Sequence, residues 1–265
     1  MKLGLSTAAF YGRFETEDAA DHMQLFPLDT CEVFLETFSE YTPSFARLVR
    51  EKLRNLRCTS VHPKGTGFEG ELFAQSWRQR QDAETTFRRV LECAEILGAS
   101  YYVFHGPGVV RGRMHPGQIR EVRPVMRALF EEAEVHGVEL LWENVSWRTL
   151  QTPEDVLELR DMFPDMGFVL DTKQANQSGV DPVDLAKVMG DALKHVHVLD
   201  WTGEGQLCLP GKGCMDWGRF LEALGSAGYS GAVILEPYGS MGREDEPLRE
   251  SLDLLRRMIA EVNRT

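Results

Sequence analysis

The chain has 265 residues, of which 43% are hydrophobic and 26% are charged, and its formal net charge is -12. This length and composition are typical of a globular protein with a sizeable core. No apolar run reaches the ~20 residues that span a bilayer, and the acidic balance argues against nucleic acid and anionic membranes as partners.

The cysteines and the N-terminal segment indicate the cellular environment. The five cysteines are scattered and form no C-x-x-C pair, so neither a disulfide framework nor a thiolate zinc site is predicted. The apolar stretch from Leu3 to Phe10 is too short for the core of a secretion signal, and no small-residue cleavage site follows it. We therefore predict a cytoplasmic protein.

Short apolar runs alternate with helical segments from one end of the chain to the other. The predicted strands are 2–6, 30–36, 58–62, 101–105, 139–144, 167–171, 195–199 and 232–236. The predicted helices are 17–26, 43–56, 76–97, 117–136, 153–163, 182–189, 217–227 and 247–262. Several helix starts carry a capping oxygen followed by proline, as in Thr152-Pro153 and Asp181-Pro182, which is typical of a first helical turn.

Eight such β/α units in 265 residues match a (β/α)8 TIM barrel, an α/β fold, in count and in length. A doubly wound open sheet is the alternative, but it normally carries a Gly-rich turn after strand 1, which this chain lacks. No linker or low-complexity segment interrupts the pattern, so we predict a single TIM-barrel domain over residues 1–265. In a TIM barrel, the active site lies at the C-terminal ends of the strands.

Each of the last four predicted strands carries, at or near its C-terminal end, a side chain that can bind a metal ion. These residues are Glu143, Asp171, His197 and Glu236. A charge at the tip of a buried strand is costly unless it is paired or bound to a metal. Because side chains alternate along a strand, all four converge if the face that carries each of them lines the barrel axis. Three carboxylates and one imidazole suit one divalent metal ion, such as Mn, Co, Zn or Mg; the alternative is a buried network of ion pairs.

Strands 2 to 4 also end in polar residues. His62 and His105 close strands 3 and 4, where a histidine contacts substrate or metal, or serves as a hydrogen-bonded structural residue. Glu36 and Glu32 share one face of strand 2, and Glu36 at the tip is the better candidate for a substrate contact. The alternative is that Glu36 is a surface charge.

Three residues beside strands 6 and 7 complete the candidates. Lys173 and Gln174 follow strand 6, where either residue is a candidate for binding a polar substrate, although Lys173 is also compatible with a solvated position. Trp201 follows strand 7 and is the one tryptophan that we single out as a ligand contact, since tryptophans more often pack in the core. His195, one layer below the end of strand 7, is expected to be a core residue.

The order of these residues resembles the xylose-isomerase-like barrel superfamily. The resemblance is carried by His62, His105 and the four strand ends, by HVHVLD at strand 7 with PGKG after it, and by Glu-Pro at strand 8. The superfamily includes sugar-phosphate isomerases and epimerases, ketose 3-epimerases, hydroxypyruvate isomerase, inosose dehydratase and endonuclease IV. The resemblance implies that Glu143, Asp171, His197 and Glu236 bind one divalent metal ion, and that Glu143 and Glu236 are the catalytic acid and base.

The resemblance also implies an enzyme, an isomerase or epimerase of a small sugar or polyhydroxylated carbonyl compound. Such an enzyme moves a proton beside a carbonyl group while a metal ion stabilises the enediolate. Its partner is a sugar-like small molecule, with no nucleic acid and no membrane, and a homo-oligomer is left open. The chain departs from the family at Gln174, where a histidine is usual, and after His197, where an arginine is often found.

Two other functions remain open at this point. An endonuclease IV-like metallo-hydrolase would use His62, His105 and Glu143 for a second metal ion, but residues 207–213 contain no histidine for a third. A non-catalytic sugar-binding barrel is the other alternative, because the usual histidine and arginine are missing.

Overall fold

A computed structural model describes residues 1–107 and 116–264 of the chain. Its core is a closed barrel of eight parallel strands, in which each strand pairs with the next and β1 pairs with β8. The barrel strands, numbered in chain order, are β1 (Lys2–Ser6), β2 (Thr30–Leu35), β3 (Cys58–Pro63), β4 (Tyr101–Phe104), β5 (Glu139–Glu143), β6 (Gly167–Asp171), β7 (Leu193–Val198) and β8 (Ala232–Leu235). The predicted fold class, a (β/α)8 barrel, is confirmed.

Helices surround the barrel between successive strands. Those of the described residues are α1 (Thr16–His22), α2 (Pro43–Leu53), α3 (Trp77–Leu97), α4 (Pro116–Val135), α5 (Pro153–Met162), α6 (Thr172–Gln177), α7 (Pro182–Met189), α8 (Trp217–Ser226) and α9 (Asp245–Val262). The features that were not predicted include the short helix α6 directly after β6, and an antiparallel hairpin that pairs Asp200–Trp201 with Leu207–Cys208.

The strands are buried on both faces, as expected for a parallel barrel covered by helices. β2, β3 and β6 are buried along their whole length. The helices turn one apolar stripe towards them: α2 starts at the Thr42 cap and Pro43, and it buries Ala46, Val49 and Leu53 at helical spacing. Because the strands are covered by helices, the polar residues at their C-terminal ends are also buried inside the barrel.

The barrel interior changes character along its axis. Val103, Leu141 and Val169 pack together in an apolar layer, with Tyr101 against them. Two residues further along the chain come the polar side chain that directly follows β4 and those that end β5 and β6. Side chains on one face of a strand recur every two residues, so the apolar layer lies directly below a polar one.

The structure bears on two expectations from the sequence, one about membrane-spanning helices and one about the cysteines. Among the described residues, a helix with the length and apolar character for crossing a membrane is not found. All five cysteines are free; Cys31, Cys58 and Cys93 are buried, and Cys214 is exposed.

Candidate metal centre and active site

Strands β2 to β8 bring seven polar side chains together in one buried cluster at the C-terminal end of the barrel. The seven residues are Glu32, His62, His105, Glu143, Asp171, His197 and Glu236, each at most 9% exposed. The four predicted metal ligands each offer one atom, and these atoms lie within 4.8 Å of one another. The convergence that strand alternation predicts is therefore present in the structure.

His197 lies at the centre of the cluster. Its Nδ1 is 2.8 Å from Glu143 Oε1 and 3.4 Å from Glu236 Oε2, and its Nε2 is 2.9 Å from Glu32 Oε2. Burial alone would lower the pKa of His197, but the charges of Glu32 and Glu236 and the hydrogen bonds to carboxylates raise it well above its usual range. In this arrangement His197 is surrounded by negative charge on both sides of its ring.

The histidines that end β3 and β4 also reach the cluster. His62 Nδ1 is 3.0 Å from Glu236 Oε1, and His62 Nε2 is 2.9 Å from His105 Nε2. His105 Nε2 is in turn 3.2 Å from Glu143 Oε2. Burial lowers the pKa of His62, but its hydrogen bonds to Glu236 and Glu32 outweigh that effect and raise the pKa to about 10. His62, His105 and Glu143 form a second group of ligand atoms within 4.8 Å.

A buried lysine lies on the same carboxylates. Lys173 Nζ is 3.3 Å from Asp171 Oδ2 and 3.8 Å from Glu236 Oε2, and the residue is only 7% exposed. The alternative in which Lys173 is solvated is therefore wrong. Its pKa is raised, because the charges of Asp171 and Glu236 outweigh the effect of burial. The Tyr238 hydroxyl donates to Glu236 Oε1 at 2.6 Å, and the Lys173 ammonium lies 4.6 Å from the Tyr238 ring centroid.

Sequence reasoning missed the role of Glu32 in the cluster. Its carboxylate is fully buried, accepts a hydrogen bond from Ser60 Oγ at 2.8 Å and lies 3.2 Å from His195 Nε2. Burial raises the pKa of Glu32, yet the charge of His197 and the hydrogen bonds to histidines hold it well below its usual range. The available signal was strand alternation, which puts Glu32 on the same face as Glu36 but four residues, or two layers, deeper. His195 is fully buried, which confirms its core position.

Glu69 is a second acidic residue that the sequence did not indicate. It is fully buried in the segment after β3, where its Oε1 accepts from the Tyr102 hydroxyl at 3.1 Å. Its Oε2 accepts from the His105 backbone N–H at 3.2 Å and lies 3.3 Å from His105 Nδ1. A Cβ at Gly65 would collide with the Glu69 carboxylate, so glycine there leaves room for it. No periodic pattern marks Glu69, because it lies outside a strand.

The three other predicted substrate contacts lie outside these groups of ligand atoms. Gln174 Oε1 accepts from the Ser146 backbone N–H at 3.0 Å and from Ser146 Oγ at 2.8 Å. Glu36 lies just beyond β2, and burial together with the charge of Glu40 raises its pKa to about 7. Trp201 is half-buried on the hairpin. For all three residues, substrate contact stays a prediction.

The donor set fits a divalent metal ion. Glu143, Asp171 and Glu236 place three carboxylates around one position, and burial together with the charges of Glu143 and Glu236 raises the pKa of Asp171 despite Lys173. Carboxylate oxygens with one imidazole are the ligands of Mn, Co, Zn and Mg sites. A bound dication would offset the mutual repulsion of these carboxylates, which Lys173 and the histidines otherwise relieve.

A separate cavity lies at the opposite end of the barrel. It encloses about 840 Å³ and is lined by residues at the starts of β4, β5 and β6, including Tyr101, Glu139 and Gly167. It contains none of the seven residues of the cluster. Since TIM-barrel chemistry takes place at the C-terminal ends of the strands, the cluster and not this cavity is the candidate active site.

Several curated relatives match part of the sequence. D-psicose 3-epimerase of Enterocloster bolteae is 28% identical over 138 residues, which are 50% of this chain and 44% of that protein. 3-Dehydroshikimate dehydratase of Pseudomonas aeruginosa is 27% identical over 147 residues, which are 51% of this chain and 23% of that protein. The matched part thus spans less than half the length of either relative.

Solved structures match the whole fold. A D-tagatose 3-epimerase-like protein has a TM-score of 0.81 at 20% identity, with 100% of this chain and 99% of that chain covered. The IOLI protein with a binding zinc atom has a TM-score of 0.77 at 18% identity, with 99% and 98% covered. At such identities the likeness shows the fold alone. The sequence also matches the family of xylose isomerase-like TIM barrels over residues 17–258. Because that match covers most of its length, the chain belongs to the xylose isomerase-like TIM barrel family.

Proposed function

We propose that this protein is a divalent-metal-dependent isomerase or epimerase of a small sugar or similar polyhydroxylated carbonyl compound. The proposal is carried by one observation: the ligand atoms of Glu143, Asp171, His197 and Glu236 lie within 4.8 Å of one another in a buried site. The partial similarity to D-psicose 3-epimerase supports the same class of reaction. The proposed substrate is therefore a ketose or a related hydroxy-ketone.

The four residues would hold the metal ion. When bound, a divalent ion supplies Lewis acidity, which polarises a carbonyl oxygen of the substrate. The protein side chains then have to bind the substrate, exclude water and move a proton.

Glu143 and Glu236 are the two groups that we assign to proton transfer. Epimerisation removes a proton from one face of a carbon beside a carbonyl and returns a proton to the other face, so it requires one base and one acid. The two carboxylates come from β5 and β8 and approach His197 Nδ1 at 2.8 and 3.4 Å. We propose that one of them takes the proton from the substrate carbon while the other delivers a proton to the opposite face.

The outer oxygen of each carboxylate is held by another side chain. Glu236 Oε1 accepts from the Tyr238 hydroxyl at 2.6 Å and lies 3.0 Å from His62 Nδ1. Glu143 Oε2 lies 3.2 Å from His105 Nε2. These contacts restrict the rotation of both carboxylates, which keeps them oriented for proton transfer. His62, His105 and Lys173 are also the groups that we expect to donate to substrate oxygens.

Proton exchange measured by NMR tests this function. The Mn²⁺-loaded protein is incubated in D2O with D-psicose, D-tagatose and L-ribulose, and deuterium incorporation beside the carbonyl is followed together with the new epimer. We expect exchange with at least one ketose, and its loss in both Glu143→Gln and Glu236→Gln. The matched control is Glu139→Gln, which changes an exposed glutamate at the other end of the same strand β5. Full activity of both active-site variants would reject the mechanism.

A metallo-hydrolase is the second candidate, favoured by the proximity of His62, His105 and Glu143. It predicts two or more metal ions per chain and cleavage of abasic DNA, whereas the epimerase proposal requires one ion and no cleavage. Elemental analysis of the purified protein and a nuclease assay distinguish the two.

Two further outcomes would indicate other functions. Loss of water from 3-dehydroshikimate would indicate a dehydratase, and sugar binding without proton exchange would indicate a non-catalytic barrel.

A further inference from the structure

A buried carboxylate lies directly below His197. Glu32 is fully buried, and its Oε2 is 2.9 Å from His197 Nε2, 3.2 Å from His195 Nε2 and 2.8 Å from Ser60 Oγ, which donates to it. Its Oε1 is 3.6 Å from His62 Nδ1 and has no hydrogen bond among the described residues. Three polar groups within 3.2 Å of one oxygen fix the orientation of this carboxylate.

The two ring nitrogens of His197 face different carboxylates. Nδ1 is directed at the predicted ligands Glu143 and Glu236, at 2.8 and 3.4 Å, while Nε2 is directed at Glu32 at 2.9 Å. A histidine that binds a metal ion through one ring nitrogen usually donates its other N–H to an acceptor, and a carboxylate is a common one. The geometry therefore leaves Nδ1 for the metal ion and Nε2–H for Glu32.

We propose that Glu32 is a positioning residue, which holds the His197 ring so that Nδ1 faces the metal ion. This inference rests on the metal site of the proposed function. Glu32 acts through His197 and does not contact substrate. Ser60 and His195 in turn hold the Glu32 carboxylate in place.

A different role for Glu32 makes a different prediction. Glu32, His62, His197 and Glu236 also have ligand atoms within 4.8 Å of one another. If Glu32 were itself a ligand of a second ion, its loss would reduce the number of bound ions. If Glu32 positions His197, its loss weakens the binding of a single ion and changes the geometry of that ion.

Co²⁺ binding measures both properties without using turnover. Metal-free protein is titrated with Co²⁺, and the affinity, the stoichiometry and the visible absorption of the bound ion are recorded. We expect Glu32→Gln to weaken Co²⁺ binding about tenfold and Glu32→Ala up to about 100-fold, the range typical of residues that support metal ligands. We expect one ion per chain throughout and an altered absorption spectrum in both variants. Glu32→Gln keeps the shape of the side chain, so it remains informative if Glu32→Ala does not fold.

The matched control is Glu69→Gln. Glu69 is as completely buried as Glu32, but its contacts are with Tyr102 and His105 and not with the four predicted ligands. We expect its Co²⁺ affinity to stay within about twofold of wild type, because the same loss of a buried charge occurs away from His197.

The outcomes separate this inference from the proposed function. Wild-type affinity and spectrum in Glu32→Gln, or an equal loss in Glu69→Gln, would overturn the positioning role and leave the metal site intact. A drop from two bound ions to one would overturn it in favour of a ligand role. Wild-type protein that binds no Co²⁺ would overturn both the positioning role and the metal site.

Discussion

The interior of the barrel consists of two layers that lie on the same strands and differ in chemistry. In the lower layer, Val103, Leu141 and Val169 pack against one another. In the upper layer, one pleat repeat further along β4, β5 and β6, the side chains are His105, Glu143 and Asp171. Both layers are buried, so the difference between them is not one of exposure to water.

The two layers therefore differ in what their burial does: the lower layer stabilises the fold, and the upper layer holds the charged groups of the candidate site. Burial of apolar side chains in the lower layer stabilises the fold by about 25 cal/mol for each Å² removed from water. Burial of carboxylates in the upper layer carries a desolvation penalty of several kcal/mol per charge, which only pairing or metal binding offsets. We therefore expect changes in the lower layer to affect unfolding, and changes in the upper layer to affect metal binding, catalysis and pH dependence.

The largest effect on stability is expected from Leu141→Ala in the lower layer. Leu141 is fully buried, so its truncation leaves a cavity and should lower the free energy of unfolding by about 2–5 kcal/mol. Urea denaturation measures this change, and metal stoichiometry should remain as in wild type. Leu157→Ala is the matched control: Leu157 is 57% exposed on α5, and its truncation should change stability by at most about 0.5 kcal/mol. Equal effects of the two variants would contradict the role of the lower layer.

A pH effect on stability is expected from the upper layer of the metal-free protein. The folded-state pKa of His62 is about 10, above its ordinary value of 6.5. The stabilisation from protonated His62 is therefore complete below pH 6.5 and is lost as the pH rises through 10. The free energy of unfolding should fall by up to about 1.4 kcal/mol per pH unit in this window.

Denaturation of metal-free protein at several pH values between 6 and 10 measures this dependence. His62→Gln cannot titrate, so its profile should be flatter than that of wild type. Wild-type stability that rises with pH over this window would contradict the assignment of His62 as a protonated partner of Glu236.

The smallest effect is expected at the rim of the upper layer, from Lys173→Met. The Lys173 ammonium lies near Asp171 and Glu236, two residues that we assign to the metal ion. Its positive charge opposes a dication, so its removal should tighten Co²⁺ binding roughly tenfold, or about 1.4 kcal/mol. Lys187→Met is the control, because Lys187 is exposed and its ion pair is with Asp184, away from the cluster. Unchanged or weaker Co²⁺ binding in Lys173→Met would show that the lysine does not compete with the ion.

Most of the fold could be predicted because its signals are local. β6 has the predicted bounds, and β7 begins two residues earlier than predicted and ends one residue earlier. Helix α6 was missed because Asp171 was interpreted only as a strand end, whereas its Oδ1 also accepts from the Gln174 N–H at 3.0 Å and so caps a helix. The hairpin was missed because strands of two residues show no periodicity.

The candidate site was predictable where a polar residue ends an apolar run. This pattern found the four predicted ligands and both histidines, His62 and His105. It did not find Glu32, which lies inside a strand, or Glu69, which begins a short 3-10 helix after β3. It also gave no indication that Lys173 is buried or that Gln174 bonds to Ser146, because both properties depend on side chains from other strands and loops.

The sequence by itself determined the alternation of strands and helices and the face of each strand that carries a polar end, since both follow from the spacing of neighbouring residues. Only the tertiary structure decided which polar groups meet. Glu32 and His197 are 165 residues apart in sequence and 2.9 Å apart in space. Their contact exists because the barrel closes between β1 and β8 and directs side chains from distant strands across one axis, which no local pattern encodes.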